Sequence, residues 1–415
     1  MHPQSIRLIV VVALFGSLAT GMRPATAQPD GGAPFQPPVE SPEVQDDGSV
    51  VFRIRADKAE TVQLASSDLF AFGQSAELKT NDAGIWETTL KETPAGAYRY
   101  RFDIDGVSVI DPANNSTSEV NAGVWSLLHI PGATWMDAGK ERHGAVAEVH
   151  YFSTPLDRMR RMHVYTPPGY AMDPQQDYPV LYLLHGAMDC DDSWSTVGRA
   201  GYILDQLIAR GEAEPMIVVM PAGHTGPFRF GRNSIPIDEF SEDFTQAIRP
   251  YIEANYRVRS GRANRAIAGL SMGGAQTLNI AFENLADYAF VGVFSSGVFG
   301  ITGRGPGSPN GDRPSWREQH QTSLEDSELK QGLKKVWFAT GRDDFLLETS
   351  RATVDMLKEN GFDVDFEETD GGHTWTNWRE YLHTFAQYLF RDDPEIVQLP
   401  ESSAQPASAE QPQAP

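Results

Sequence analysis

Ser271 has the surroundings that a catalytic nucleophile requires. It lies in Gly269-Leu270-Ser271-Met272-Gly273, where an apolar strand-like run ends and a helix-like run begins. This is the G-x-S-x-G turn, which lifts a serine hydroxyl above the end of a sheet and points the N-terminus of a helix at developing negative charge. A serine hydroxyl is a weak nucleophile until a base removes its proton. A nucleophilic Ser271 therefore predicts a base and an acid elsewhere in the chain.

Candidates for the base and the acid lie late in the chain. His373 stands in Gly371-Gly372-His373-Thr374-Trp375, after a predicted strand and before the last predicted helix. Asp343 and Asp344 follow the preceding predicted strand, and their spacing allows either one to orient the imidazole. The chain order serine, aspartate, histidine is that of α/β-hydrolases.

Acyl transfer also needs backbone donors for the oxyanion of the tetrahedral intermediate. The N–H of Met272, directly after the nucleophile, is one predicted donor. The other is expected from the loop His185-Gly186-Ala187-Met188, which follows a buried strand, and we assign it to the Ala187 N–H.

Two irregular segments, residues 223–240 and 299–331, interrupt the regular pattern, and we expect both to lie over the active-site face, where insertions set specificity. Aromatic side chains of these and other loops are candidates either for a pocket that binds an aryl acid or for ordinary loop anchors. The candidate substrate-binding residues are Trp194, Phe228, Phe230, Trp375 and Trp378.

The elements that must position these residues are read from residues 146–393. Near-continuous apolar runs predict buried strands, which are interleaved with helical stretches, so the pattern indicates a doubly wound α/β sheet. The predicted strands are 178–184, 216–220, 265–270, 289–294, 335–340 and 364–368, and the predicted helices are 243–255, 274–285, 347–360 and 378–390.

A second block, residues 41–132, has a different pattern. Short alternating strands at 50–54, 61–64, 84–90 and 98–104 are separated by turns, and Asp105-Gly106 is a strong hairpin signal. This predicts a small immunoglobulin-like β-sandwich, joined to the α/β block by a linker at 133–145. Trp86 and Trp125 could either stack on a sugar ring or pack in the core or at the domain interface.

The ends of the chain are predicted to lie outside these domains. Residues 1–27 have the pattern of a secretory signal, with Arg7, an apolar run at 8–18 and the small-x-small triplet Ala25-Thr26-Ala27. Residues 28–40 and 394–415 are rich in Pro, Gln, Ser and Ala and are expected to be a disordered linker and tail. We expect a secreted or periplasmic protein with no membrane contact after signal removal.

The composition excludes several classes of function. Asp and Glu total 56 against 34 Lys and Arg, a net charge of −22, so nucleic-acid binding is not expected. Cys190 is the only cysteine of the 415 residues, which excludes an internal disulfide and a cysteine-based zinc site. No metal or cofactor is expected, and the oligomeric state stays open.

The α/β block resembles the esterase family of α/β-hydrolases that contains feruloyl, acetyl xylan and enterochelin esterases. The matching stretches are Leu184-His185-Gly186, residues 267–274, residues 341–345 and residues 371–375. The feruloyl esterase branch, carbohydrate esterase family 1, looks most similar. The resemblance implies that the acid is the second aspartate, Asp344.

The sandwich block is similar to early-set domains of the carbohydrate-binding module 48 type. The stretches that carry this resemblance are Gly84-Ile85-Trp86, Gly96-Ala97-Tyr98-Arg99-Tyr100, Asp105-Gly106 and Asp111-Pro112. Such a domain also precedes the esterase in the feruloyl esterase branch.

Together these features predict an exported serine carboxylic-ester hydrolase that releases feruloyl or acetyl groups from plant cell-wall polysaccharide or related small esters. One alternative is an enterochelin-type siderophore esterase, which also pairs a β-sandwich with this catalytic fold. An alternative of another class is a non-catalytic carbohydrate-binding protein with a decayed hydrolase domain. The acyl group, the alcohol and any sugar binding by the sandwich stay open.

Overall fold

The structure, a computed structural model, describes residues 38–70, 74–227, 237–303 and 314–399. Ten strands in the first part of these ranges form a β-sandwich. They are β1 (Glu43–Val44), β2 (Val50–Arg55), β3 (Val62–Ser66), β4 (Ser75–Glu77), β5 (Lys79–Thr80), β6 (Ile85–Leu90), β7 (Gly96–Ile104), β8 (Val107–Val109), β9 (Thr117–Val120) and β10 (Gly123–Ile130).

The sandwich consists of two antiparallel sheets. One has the order β1-β2-β6-β5, and the other has the order β4-β3-β7-β10-β9 with β8 paired to β7. Asp105 and Gly106 both have positive φ, at 50° and 83°, and form the predicted hairpin turn between β7 and β8. Phe52, Tyr100 and Phe102 are fully buried between the sheets.

The second part of the chain forms one eight-stranded sheet. Its strands are β11 (Ala145–Ser153), β12 (Arg158–Thr166), β13 (Val180–Leu184), β14 (Ile217–Pro221), β15 (Arg265–Leu270), β16 (Phe290–Phe294), β17 (Lys335–Gly341) and β18 (Asp365–Thr369). The order is β11-β12-β14-β13-β15-β16-β17-β18. The pairs β11–β12 and β12–β14 are antiparallel, and the pairs from β14 to β18 are parallel.

The helices that accompany this sheet are α1 (Ala200–Ala209), α2 (Ile237–Asp243), α3 (Arg249–Asn255), α4 (Met272–Glu283), α5 (Trp316–Gln319), α6 (Gln321–Glu325), α7 (Ser327–Gln331), α8 (Leu347–Glu359) and α9 (Trp375–Tyr388). Among the helices of the described ranges, none combines the length and apolarity that a membrane crossing requires.

Both faces of the sheet are covered, as its apolar strands predicted. Along β13, Val180, Tyr182 and Leu184 belong to one core cluster, whereas Leu181 and Leu183 belong to the cluster on the other face. The alternation follows from the two-residue period of a strand. The predicted fold class, an α/β-hydrolase sheet preceded by a β-sandwich, is confirmed.

Several local predictions differ from the structure. The helix predicted at 243–255 begins earlier, as α2, and continues through a π-helical turn, Phe244–Ile248, into α3. Phe240, Phe244 and Ile248 recur every four residues and are fully buried, so this spacing continues the helical pattern back to Phe240, in the segment 223–240 that was predicted to be irregular. The segment predicted to be irregular at 299–331 likewise contains α5, α6 and α7.

The predicted tail also has an ordered beginning. The Val397 N–H donates to Gln387 Oε1 at 2.8 Å, and Gln387 Nε2 donates to the Val397 carbonyl at 3.0 Å, so residue 397 is attached to α9. The predicted signal at 1–27 and residues 28–37 and 400–415 lie outside the described residues.

Candidate active site

Ser271 occupies a strained turn between β15 and α4. Its φ and ψ are 51° and −116°, a conformation that non-glycine residues rarely adopt outside functional turns. The flanking glycines make the turn possible. A Cβ on Gly269 would lie 2.3 Å from the Gly273 carbonyl oxygen, and one on Gly273 would lie 2.6 Å from the His185 carbonyl oxygen.

A hydrogen-bonded chain joins Ser271, His373 and Asp344. The Ser271 Oγ to His373 Nε2 distance is 3.1 Å, and His373 Nδ1 lies 2.9 Å from Asp344 Oδ2 and 3.1 Å from Oδ1. The carboxylate of Asp344 accepts the Nδ1 proton, which leaves Nε2 free to accept the serine proton. The Asp344 side chain is fully buried, whereas the imidazole is 19% exposed and accessible from one side.

The two aspartates that the sequence left as alternatives have opposite surroundings. Asp343 is exposed, and its backbone N–H donates to the Gly371 carbonyl at 2.9 Å. Burial alone would raise the pKa of Asp344, but the hydrogen bond and charge of His373 and the Leu346 N–H outweigh burial and lower that pKa below its ordinary value. Asp344 is therefore ionised at neutral pH, where it can accept the Nδ1 proton of His373.

Glycines bring the acid loop and the histidine loop into contact. A Cβ on Gly341 would lie 2.3 Å from the Gly371 carbonyl oxygen, and Gly371 has a positive φ of 82°. Only glycine accommodates this approach without strain. The two loops after β17 and β18 can therefore place Asp344 and His373 within hydrogen-bond distance.

The loop after β13 lies against the nucleophile. A Cβ on Gly186 would be 3.5 Å from Ser271 Cβ, so the Gly186–Ala187 peptide is adjacent to the hydroxyl. His185 Nδ1 donates to the Gly186 carbonyl at 2.8 Å, and His185 Nε2 accepts the Gly223 N–H at 2.8 Å. Burial lowers the pKa of His185, which keeps the ring neutral and allows both bonds.

Comparisons with known proteins agree with this fold. The family model described as "Putative esterase" matches residues 153–388, which is more than half of the chain. The chain belongs to this esterase family. The model for carbohydrate-binding module 48 (isoamylase N-terminal domain) matches residues 40–127. The predicted family and the predicted N-terminal domain type are confirmed, as is the prediction of an esterase at the level of the family.

One relative matches most of the chain. An endo-1,4-beta-xylanase/feruloyl esterase from Xylanibacter ruminicola is 30% identical over 367 residues, which cover 86% of this chain and 47% of that protein. The chain thus spans about half the length of that relative.

Solved structures share the fold. A ferulic acid esterase, 28% identical, has a TM-score of 0.51 and covers 60% of this chain and 99% of its own. An enterobactin esterase from Shigella flexneri, 17% identical, has a TM-score of 0.59 and covers 82% of this chain and 92% of its own. At that identity the second likeness is one of fold alone.

Two of the tryptophans predicted to line a substrate pocket are buried in the core of the second domain. Trp194 is 1% exposed and donates its Nε1 proton to the Leu184 carbonyl at 3.1 Å, and Trp375 is 2% exposed. Their rings pack together with centroids 5.0 Å apart. The prediction that they contact substrate has to be corrected, because both rings are packed in the core, where they anchor the loops.

Trp378 lies between these core residues and the site. It is 6% exposed, and its ring centroid is 5.0 Å from that of His373, so it supports the imidazole from behind. Phe228 and Phe230 lie outside the described residues.

Two residues next to the site were not predicted as site residues. Phe345 is 70% exposed and its ring centroid is 4.5 Å from that of His373; its place next to Asp344 was the available signal. His224 donates its Nε2 proton to the Ala187 carbonyl at 2.7 Å, and burial lowers its pKa to about 4.

The described residues offer neither a cluster of metal ligands nor a reactive thiol. Among them, no three His, Cys, Asp or Glu side chains are grouped closely enough to hold a metal ion. Burial raises the pKa of the Cys190 thiol to about 12, so the thiolate needed for nucleophilic chemistry does not form at neutral pH.

Proposed function

We propose that this member of the esterase family is an exported serine carboxylic-ester hydrolase with Ser271, His373 and Asp344 as its catalytic triad. The observation that carries the proposal is the hydrogen-bonded chain from the Ser271 hydroxyl through both ring nitrogens of His373 to a fully buried carboxylate. Three residues from separate strand ends meet there in the order and geometry that acyl transfer requires.

In the first half of the reaction, Ser271 Oγ attacks the ester carbonyl carbon while its proton moves to His373 Nε2. The carbonyl oxygen becomes an oxyanion, and the N–H groups of Met272 and Ala187 donate to it. When the intermediate collapses, the bond from the carbonyl carbon to the alcohol oxygen breaks and the imidazolium returns the proton to the leaving alcohol. The products are a free alcohol and an acyl-serine.

In the second half, a water molecule attacks the acyl-serine while His373 takes one of its protons. A second oxyanion forms and collapses, the carbonyl–Oγ bond breaks, and the proton returns to Ser271. Asp344 stays ionised throughout and stabilises the imidazolium. No metal or cofactor takes part in this scheme.

For the substrate we propose feruloyl or acetyl esters of plant cell-wall polysaccharide, or related small esters. The support is the 30% identity to a xylanase/feruloyl esterase and the 28% identity to a ferulic acid esterase. The exposed ring of Phe345 beside His373 adds an apolar contact that suits an aromatic acyl group.

We propose that the protein is exported, on the signal-like pattern of residues 1–27. Expression of the full chain in a bacterial host should yield a protein in the periplasm or medium whose first residue is Gln28. A protein that stays in the cytoplasm and keeps residues 1–27 would contradict export. It would not affect the proposal that the protein is an esterase.

The decisive test is Ser271→Ala. We expect the variant to lose at least roughly 10³-fold of the wild-type rate on methyl ferulate and p-nitrophenyl acetate with an unchanged thermal unfolding temperature, because no other group replaces the nucleophile. Ser260→Ala, at an exposed position, is the matched control and should keep full activity. Labelling by a fluorophosphonate probe should disappear in Ser271→Ala alone.

Parallel assays separate the substrate classes. Methyl ferulate, acetylated xylan and a ferric catecholate trilactone distinguish a feruloyl, an acetyl and a siderophore esterase. Full ester hydrolysis by Ser271→Ala would reject the triad. A wild-type protein that hydrolyses none of these esters and resists the fluorophosphonate would support a non-catalytic carbohydrate-binding protein instead.

A further inference from the structure

Arg99, on strand β7 of the sandwich, connects the sandwich to the active-site loop of the esterase. Its side chain is buried. Nη1 donates to Asp189 Oδ1 at 2.6 Å and Nη2 donates to Ser193 Oγ at 2.7 Å, both in the loop after β13. Within the sandwich, Nε donates to Ser118 Oγ at 2.9 Å and Nη2 to the Glu119 carbonyl at 3.0 Å. Hydrogen bonds to the sandwich therefore fix the guanidinium, and the guanidinium in turn donates to the loop.

The residue that Arg99 holds is hydrogen-bonded to the peptide next to Ser271, whose carbonyl also accepts the His185 Nδ1 proton. The Asp189 N–H donates to the Gly186 carbonyl at 3.1 Å. That carbonyl and the Ala187 N–H belong to one trans peptide and point in opposite directions. Fixing the carbonyl therefore fixes the direction of the N–H that we propose as the second oxyanion donor.

A second contact from the sandwich reaches the same loop. The backbone N–H of Asn121 donates to the Met188 carbonyl at 3.0 Å, one residue before Asp189. Both contacts fall within three residues of Gly186. The sandwich therefore contacts the loop at Met188 and Asp189, directly after the Gly186–Ala187 peptide.

We propose that Arg99 is a positioning residue for ester hydrolysis: through Asp189 it sets the direction of the Ala187 N–H, so that the sandwich domain completes the oxyanion hole of the esterase. This rests on the proposed function of Ser271. A buried ion pair with additional hydrogen bonds keeps one geometry, which a solvent-exposed pair does not. A displaced oxyanion donor stabilises the transition state less but does not weaken binding of the ester, so kcat falls while KM is unchanged.

The test is Arg99→Met in the full chain. We expect kcat for p-nitrophenyl acetate to fall roughly 10- to 100-fold with KM within about two-fold of wild type, since displacement by about 1 Å has this scale of effect. Inhibition by a phenylboronic acid, which forms a tetrahedral adduct with the serine, should weaken by the same factor. Inhibition by acetate, the product acid, should not change.

Two further variants separate positioning from stability. Arg99→Lys keeps the charge opposite Asp189 and should retain more kcat than Arg99→Met. If Arg99→Met does not fold, the double variant Arg99→Met/Asp189→Asn decides, because it removes both buried charges and leaves neither uncompensated. It should fold and show the same loss of kcat and boronate affinity.

Glu119→Gln is the matched control, because it keeps the backbone carbonyl that accepts from Arg99 and changes only the carboxylate. That carboxylate forms another ion pair across the same interface, with Arg161 at 2.5 Å, and does not contact the Gly186 peptide. It should keep wild-type kcat. A folded Arg99→Met or double variant with wild-type kcat and boronate affinity would overturn the inference. The proposed function would still hold in that case, provided that wild type hydrolyses the ester and Ser271→Ala does not.

Discussion

At the scale of single residues, neighbours in sequence have different chemical environments. Asp343 is exposed, whereas Asp344 is buried against His373 and has a lowered pKa. Phe345, the next residue, places its ring against the outer side of the same imidazole. Three consecutive side chains therefore differ in what their replacement should do.

Replacing Asp344 by Asn should reduce kcat roughly 10⁴-fold, because an amide can donate to Nδ1 and hold the imidazole in the wrong tautomer. Asp343→Asn is the matched control one residue away and should stay within about two-fold of wild type. Steady-state kinetics on p-nitrophenyl acetate measure both. Equal losses in the two variants would contradict the assignment of Asp344 as the acid.

Replacing Phe345 by Ala should raise KM for methyl ferulate roughly 3- to 10-fold and change KM for p-nitrophenyl acetate less than about two-fold. The reason is that an aromatic contact contributes about 0.5–1.5 kcal/mol to a bound aromatic acyl group. Met172→Ala, which removes a side chain of similar exposure in the loop before β13, is the control. An unchanged KM for methyl ferulate would remove Phe345 from the acyl site.

At the scale of elements, the site depends on turns that approach one another closely. The strand-to-helix turn at Ser271 packs Gly273 against the end of β13, and the loops after β17 and β18 meet at Gly341 and Gly371. A parallel sheet brings the ends of its strands to one edge. For side chains from different loops to reach hydrogen-bond distance, the loop backbones must also approach closely, and a Cβ at these glycines would prevent that approach.

Gly273→Ala should lower the free energy of unfolding by about 1–3 kcal/mol, because the new Cβ would lie 2.7 Å from the backbone of Leu184 and the turn would have to shift. Gly226→Ala is the matched control: a Cβ there meets nothing within 4 Å, so its effect should be within about 0.5 kcal/mol. Urea denaturation measures both. Equal stabilities would mean that the turn tolerates the side chain.

At the scale of the whole molecule, charged groups connect the sandwich to β12 and to the loop after β13. Glu119 of the sandwich pairs with Arg161 of β12, and Arg161 and His163 both donate to Asp191. Burial alone would raise the pKa of Asp191, but the hydrogen bonds from His163 and Arg161 outweigh it and lower that pKa to about 2.

This network should make stability depend on pH under acid conditions. Because the folded-state pKa of Asp191 lies below its ordinary value of 3.8, its contribution is complete above about pH 4 and is lost as the pH falls toward 2. The loss amounts to about 2 kcal/mol. Urea denaturation between pH 4 and 2 should show a shallower decline for Asp191→Asn than for wild type.

The control is Asp173→Asn at an exposed position, which should keep the wild-type decline. If Asp191→Asn declined as steeply as wild type, Asp191 would not be the group that titrates. The same measurement at pH 7 should show a loss of unfolding free energy in Asp191→Asn, because Arg161 and His163 lose their charged partner.

The local pattern of residues was sufficient to identify the two fold types and to predict the pairing of Ser271 with His373, whose Oγ and Nε2 atoms lie 3.1 Å apart. The reason is that apolar periodicity, the glycines around Ser271 and the order of the loops are properties of short stretches, and backbone geometry acts over the same range. Asp343 and Asp344 could not be separated by spacing, because both follow the same strand. Burial of Trp194 and Trp375, and the reach of Arg99 to Asp189 across 90 residues, arise from packing between distant segments. Which side chains meet across such distances depends on the order of the strands and the docking of one domain on another, and no local pattern carries that information.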